Sequence, residues 1–164
     1  MNISLLKHCY TCGCVAYHLL KEMGYPEDLC RKGYLLGWTH DAMKPFEDSE
    51  LRNHGELMKG FVREPYELYI NNHELVLDND ESYDSLFLAL LFADATVDAC
   101  GNYVGLDGRL KDIGNRYGED STPYKHSKAN ADWFRNNGYN PFEIKLFNLI
   151  DNTWNSEYTI IKGD

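Results

Sequence analysis

From Leu5 to Met23 small and apolar residues recur at three- and four-residue steps, at Leu5, Cys9, Cys12, Val15, Ala16, Leu19, Leu20 and Met23, and Gly24 follows. That spacing predicts an amphipathic helix closed by a glycine. The chain restarts at Pro26, with Glu27 and Asp28 in a first turn, and runs apolar through Leu29, Cys30, Gly33, Leu36 and Gly37 to Trp38. A second helix, buried along much of its length, is expected there. In "FEDSELRNHGELMKGFV", Asp48 and Ser49 are available as caps, and "EPYELYINNHELV" carries a short apolar face through Tyr66, Tyr69 and Ile70. Both segments are expected to be helical. "SYDSLFLALLFADATV" is apolar on nearly every side, the pattern of a buried central helix, and its one late acid, Asp94, stands out. Glycines break the pattern in "VDACGNYVGLD". Two more helices are expected in "GLDGRLKDIGNRYG" and "STPYKHSKANADWFRNNG", followed by an aromatic tail, "NPFEIKLFNLIDNTW", that packs back on the rest.

No internal repeat, linker or low-complexity tract interrupts this series, so the expected class is all-α, a single-domain helical bundle. At 164 residues the chain is long enough to bury a continuous core without disulfides or structural metal. A net charge of -10 repels a polyanionic backbone at long range, which argues against duplex DNA or RNA as a partner. A small anionic substrate remains compatible, because a local basic patch or a bound cation reverses the field within one cleft. No stretch reaches the roughly 18 apolar residues that a membrane span needs, so a soluble, unprocessed chain is expected. Five cysteines in no regular framework point to a reducing, cytoplasmic setting.

The densest chemistry is "HCYTCGC" at residues 8–14. A structural zinc site needs four converging ligands, usually from two separate pairs, and there is no second pair here. On the expected helix Cys9 and Cys12 share a face and Cys14 points roughly opposite. All three are therefore expected as buried thiols that fill core space. His8 differs: it sits one turn before Cys12 on the inward face and can coordinate a metal supplied elsewhere. "GWTHDAMK" supplies the partners. His40 and Asp41 fall at the end of a buried helix, where Pro45 suggests that the backbone turns. An imidazole beside a carboxylate suits Mn, Fe, Co, Zn or Mg. Asp94 completes the set, since an acid on an apolar helix is costly to bury unpaired.

This pattern resembles the HD-domain metal-dependent phosphohydrolases: a histidine on the first core helix (His8), an adjacent His-Asp at the end of the next ("THD", 39–41) and a later aspartate on a buried helix ("FADATVD", 92–98). The resemblance covers about residues 4–118, because "VDACGNYVGLDGRLKDIGNRYGEDS" is also similar to the segment that follows the last aspartate in some members. Residues 119–164 form a C-terminal helix and tail outside it. The resemblance implies a divalent metal held by His8, His40, Asp41 and Asp94. In the subgroup that includes the symmetrical diadenosine tetraphosphate hydrolases, extra histidines recruit a second metal, and His54 and His73 look similar to these. Here the loop from Asp41 to His54 is short, and the paired histidines often seen at the later position are Asn72 and His73. Lys44 matches a lysine that contacts substrate phosphate in the family. Arg109 and Arg116 could add bidentate phosphate contacts or form ordinary salt bridges. His18 and His126 are expected as surface or satisfied core histidines.

The implied function is hydrolysis of a phosphate ester or phosphoanhydride, in a nucleotide or related small metabolite, by a metal-activated water that Asp41 orients. One ion suits a nucleoside monophosphatase and two suit a dinucleotide polyphosphate. A non-catalytic metal or nucleotide sensor on the same scaffold is the alternative. A thiol redox or zinc-storage protein would need Cys9, Cys12 and Cys14 to be exposed.

Overall fold

The computed structural model describes residues 3–44, 55–58, 61–79 and 81–139. Regular structure among them is helical: α1 (Ile3–Glu22), α2 (Glu27–Thr39), α3 (Tyr66–Asn71), α4 (Ser85–Asp94), α5 (Gly105–Tyr117) and α6 (Thr122–Asn136). A short 3-10 helix covers Glu56–Met58, and one antiparallel bridge pairs Val97 with Tyr103. The all-α expectation therefore holds for the described residues. The expected helix over residues 46–62 is described only as that 3-10 turn. Its capping residues Asp48 and Ser49, and the tail over 140–154, lie outside the described residues.

α1 departs from the simple amphipathic reading, since every residue from His8 to Ala16 is buried. The burial expected of Cys9, Cys12 and Cys14 holds, at 5%, 0% and 4% exposed, although Cys14 lies on a different side of the helix from the other two. The cause is that α1 is covered on more than one side. α2 and α4 pack against it, and the loop that follows α4 crosses it near Lys7. Thr11 donates its hydroxyl to the Gly101 carbonyl of that loop at 2.8 Å. Gly101 has φ +82°, and a Cβ there would collide with the backbone and side chain of Lys7, so the crossing requires glycine.

α1 and α2 meet with little side chain between them. A Cβ built on Gly37 would lie 2.7 Å from the Cys12 carbonyl carbon and oxygen, so only glycine lets the two backbones approach this closely. The contact falls two residues before the end of α2, which brings His40 beside His8 in the second turn of α1. α4 starts at the cap Asp84, whose side chain accepts from the Leu86 amide, and buries Leu86, Phe87, Ala89, Leu90, Leu91, Phe92 and Ala93. Phe92 stacks edge-on against Phe134 of α6 at 5.2 Å. Asn130 of α6 accepts from the Leu77 amide and donates to the Leu75 carbonyl, which fastens the segment after α3 to the last helix.

Candidate metal centre

Three helices deliver polar side chains to one point. His8 comes from the second turn of α1, His40 from the residue that caps α2, and Asp94 from the last residue of α4. Each histidine is aimed by its own Nδ1–H. His8 donates it to the Asp98 carbonyl at 2.9 Å and His40 to the Gly37 carbonyl at 2.7 Å. His73, just beyond α3, donates to the Ile70 carbonyl in the same way. A ring whose Nδ1 carries the proton presents a lone pair at Nε2, the arrangement of a metal-ligating histidine held by a backbone carbonyl.

The inward Nε2 atoms find carboxylates. His8 Nε2 lies 3.1 Å from Asp94 Oδ1, and His40 Nε2 lies 3.9 Å from the same oxygen. Two lone-pair bearers face one another at these distances favourably only with a proton or a cation between them. His40 is fully buried, and its Nε2 has no hydrogen-bond partner among the described residues. Such an atom is costly in a native interior unless something else satisfies it. Cys12, one turn after His8, brings its Sγ to 3.6 Å from His8 Nε2. Ligand atoms of His8, Cys12, His40 and Asp94 all lie within 4.8 Å of one another, and this group can hold a metal ion.

Asp41 flanks the group. It is 2% exposed, and its Oδ2 is 3.8 Å from both His8 Nε2 and His40 Nε2 and 2.9 Å from Lys44 Nζ. Its Oδ1 is 3.7 Å from His73 Nε2. His73, similar in the sequence to a second-metal histidine, is buried beside the centre, with its ring against that of His40 at 5.3 Å. His54 lies outside the described residues.

The electrostatics favour a cation. Burial works against the Asp94 carboxylate, but Arg109, His8 and His40 outweigh it and hold its pKa well below the usual carboxylate range. Burial pushes His40 down to about 4, so the ring is neutral near pH 7. Burial and then nearby carboxylates raise the Cys9 thiol to about 12 and the Cys12 thiol well above its ordinary value. A bound cation reverses that effect for any thiol it touches.

A cleft of about 500 Å³ opens beside the centre, lined among others by Lys44, His73, Asp94, Arg109, Arg116 and His126. The two arginines reach it already engaged. Arg109 pairs with Asp94 Oδ1 at 3.2 Å and Asp112 at 3.0 Å and donates its Nε–H to the Asp94 carbonyl. Arg116 pairs with Asp112 at 2.9 Å. Of the two roles open to them in the sequence, ion pairing is the one formed, because Asp112 lies one turn from each on α5. His126 is exposed at the cleft and His18 is half-buried on α1.

Sequence reasoning missed Cys12 as a neighbour of the histidines. The available signal was its place four residues after His8 on the inward face, the same spacing by which two ligands on one helix share an ion. No helix among the described residues is long and apolar enough to cross a membrane. Comparison with known protein families, curated proteins and solved structures finds no match.

Proposed function

We propose that the protein is a metal-dependent phosphohydrolase of HD-domain type, acting on a nucleotide or another small phosphorylated metabolite. The observation that carries this reading is the convergence of His8, His40 and Asp94 from three helices, with His40 Nε2 buried at their meeting point and, among the described residues, unsatisfied. A divalent ion at that point supplies a water acidified to near neutrality and polarises a phosphoryl oxygen. The chain does the rest. Asp41, beside both histidines, accepts a hydrogen bond from the attacking water and sets its direction. Lys44, 47% exposed at the cleft edge, meets the substrate phosphate. Arg109 holds Asp94 in place and Arg116 adds positive charge to the cleft wall. The cleft volume falls within the range of small-molecule sites and suits a ligand of nucleotide size.

The test is metal content per chain by mass spectrometry, together with phosphate release from a panel of nucleoside mono-, di- and polyphosphates. The wild type is compared with Asp94→Ala checked for retained helicity. The expected outcome is a metal-bearing, active wild type and a variant that has lost both properties. A variant that keeps its metal and activity overturns the reading. The sensor alternative draws on the engagement of Arg109 by Asp94 and Asp112, which occupies donors a substrate would use. Tight metal binding with no hydrolysis across the panel would favour it.

A further inference from the structure

We infer that Cys12 Sγ is a direct thiolate ligand of the cation held by His8, His40 and Asp94, so that the centre takes a borderline-soft ion (zinc, ferrous iron or cobalt) in preference to magnesium. The inference rests on the metal-centre reading above and concerns which ion that centre accepts.

The first support is geometric. Bonds of about 2.3 Å to sulfur and about 2.0–2.1 Å to imidazole nitrogen place those two ligand atoms roughly 3.6 Å apart at a tetrahedral angle. Cys12 Sγ and His8 Nε2 are 3.6 Å apart with no adjustment. The same reasoning places nitrogen and carboxylate oxygen roughly 3.4 Å apart. The observed distances to Asp94 Oδ1, 3.1 Å from His8 and 3.9 Å from His40, lie on either side of that value. A second support is His40 Nε2, fully buried and, among the described residues, without a hydrogen bond, so that its lone pair is open to a cation. A third is the state of the competing oxygen. Asp41 Oδ2 is 3.8 Å from both histidine nitrogens and already neutralised by Lys44 at 2.9 Å. Cys12 is 0% exposed, and its thiol, hydrogen-bonded to His8 Nε2 when no ion is bound, gives up that proton when the ion takes its place.

Ion binding forms a sulfur–metal bond in place of the S–H bond, and the displaced proton leaves to solvent. No electron transfer is involved. Thiolate prefers zinc, iron and cobalt, whereas magnesium prefers oxygen ligands and keeps several waters. Cys9 and Cys14, although buried nearby, fall outside the convergent group.

The experiment uses the full chain with Cys100→Ser, which removes the exposed thiol, stripped of metal and loaded with cobalt(II) alone. The expected result is a sulfur-to-cobalt charge-transfer band in the near ultraviolet that persists in Cys9→Ala and disappears in Cys12→Ala. Cobalt and zinc affinity should fall at least about ten-fold in that variant, since even residues that only support a ligand are worth that much. Magnesium affinity should not change. Cys12→Ser keeps the shape of the side chain and should give the same loss of the band if the alanine variant folds poorly. A wild type that binds one cobalt without the band, or a band that survives in both Cys12 variants, overturns the inference and leaves the histidine–aspartate centre standing. A wild type that binds no cobalt overturns the inference, and one that binds neither cobalt, zinc, manganese nor magnesium removes the functional reading beneath it as well.

Discussion

Lys44 pairs with the Asp41 carboxylate at 2.9 Å and borders the cleft in which the proposed function seats a substrate phosphate. Under the proposed hydrolysis, Lys44→Ala should raise KM for phosphate substrates by about ten-fold or more, the worth of a charged hydrogen bond, with metal content unchanged. Steady-state kinetics with a metal assay on the same samples would check this. An unchanged KM would reduce the lysine to a partner of Asp41. His8, His40, Asp41 and Asp94 were legible in the sequence because each breaks an expectation: a histidine on an inward face, a His-Asp pair at a helix end, an acid on an apolar helix. Cys12 breaks none. A thiol that fills space and a thiol that binds metal occupy the same inward position, and what decides between them here is His40 and Asp94, 28 and 82 residues further along. The engagement of Arg109 was hidden for the same reason, since its partner Asp94 lies on another helix.

Among the elements, all six helices follow the apolar spacing, because cap residues, glycines and prolines punctuate it clearly. The wrapping of α1 was not legible. Tyr10, Thr11 and Gly13 fall outside the apolar positions of the expected helix, and the loop at 96–103 and the close approach of α2 account for their burial. Gly37 turns that approach into a measurable quantity. Gly37→Ala places a methyl group 2.7 Å from the Cys12 carbonyl, so the helices must separate, at a cost of about 1–3 kcal/mol typical of overpacking. Separation also carries His40 away from His8. Urea unfolding should therefore show a lower midpoint, and cobalt titration a weaker site, in the same variant. A loss of stability with unaltered cobalt affinity would show that α2 can shift without moving His40.

Over the whole molecule, a chain of net charge -10 keeps its positive groups at the cleft by pairing them with acids, and Asp112 is the hub. Burial pulls the Asp112 carboxyl up, but Arg116, the Ala99 amide and Arg109 together hold it below its ordinary value of 3.8. A carboxyl depressed in the folded state stabilises the fold above its unfolded value, and that stability is lost as pH falls through the folded one. The thermal midpoint of the wild type should exceed that of Asp112→Asn by a constant margin above about pH 5, and the gap should close below about pH 4. A gap independent of pH would mean that the asparagine variant suffers from packing alone. Among the described residues the candidate cation ligands all come from the first 94 positions, whereas α5 and α6, with Arg116, Thr122, His126 and Ser127, line the other wall of the cleft. That division separates what would cut from what would choose. On the proposed reading, exchanges along the outer wall can redirect the enzyme to another phosphorylated compound while the metal centre stays intact.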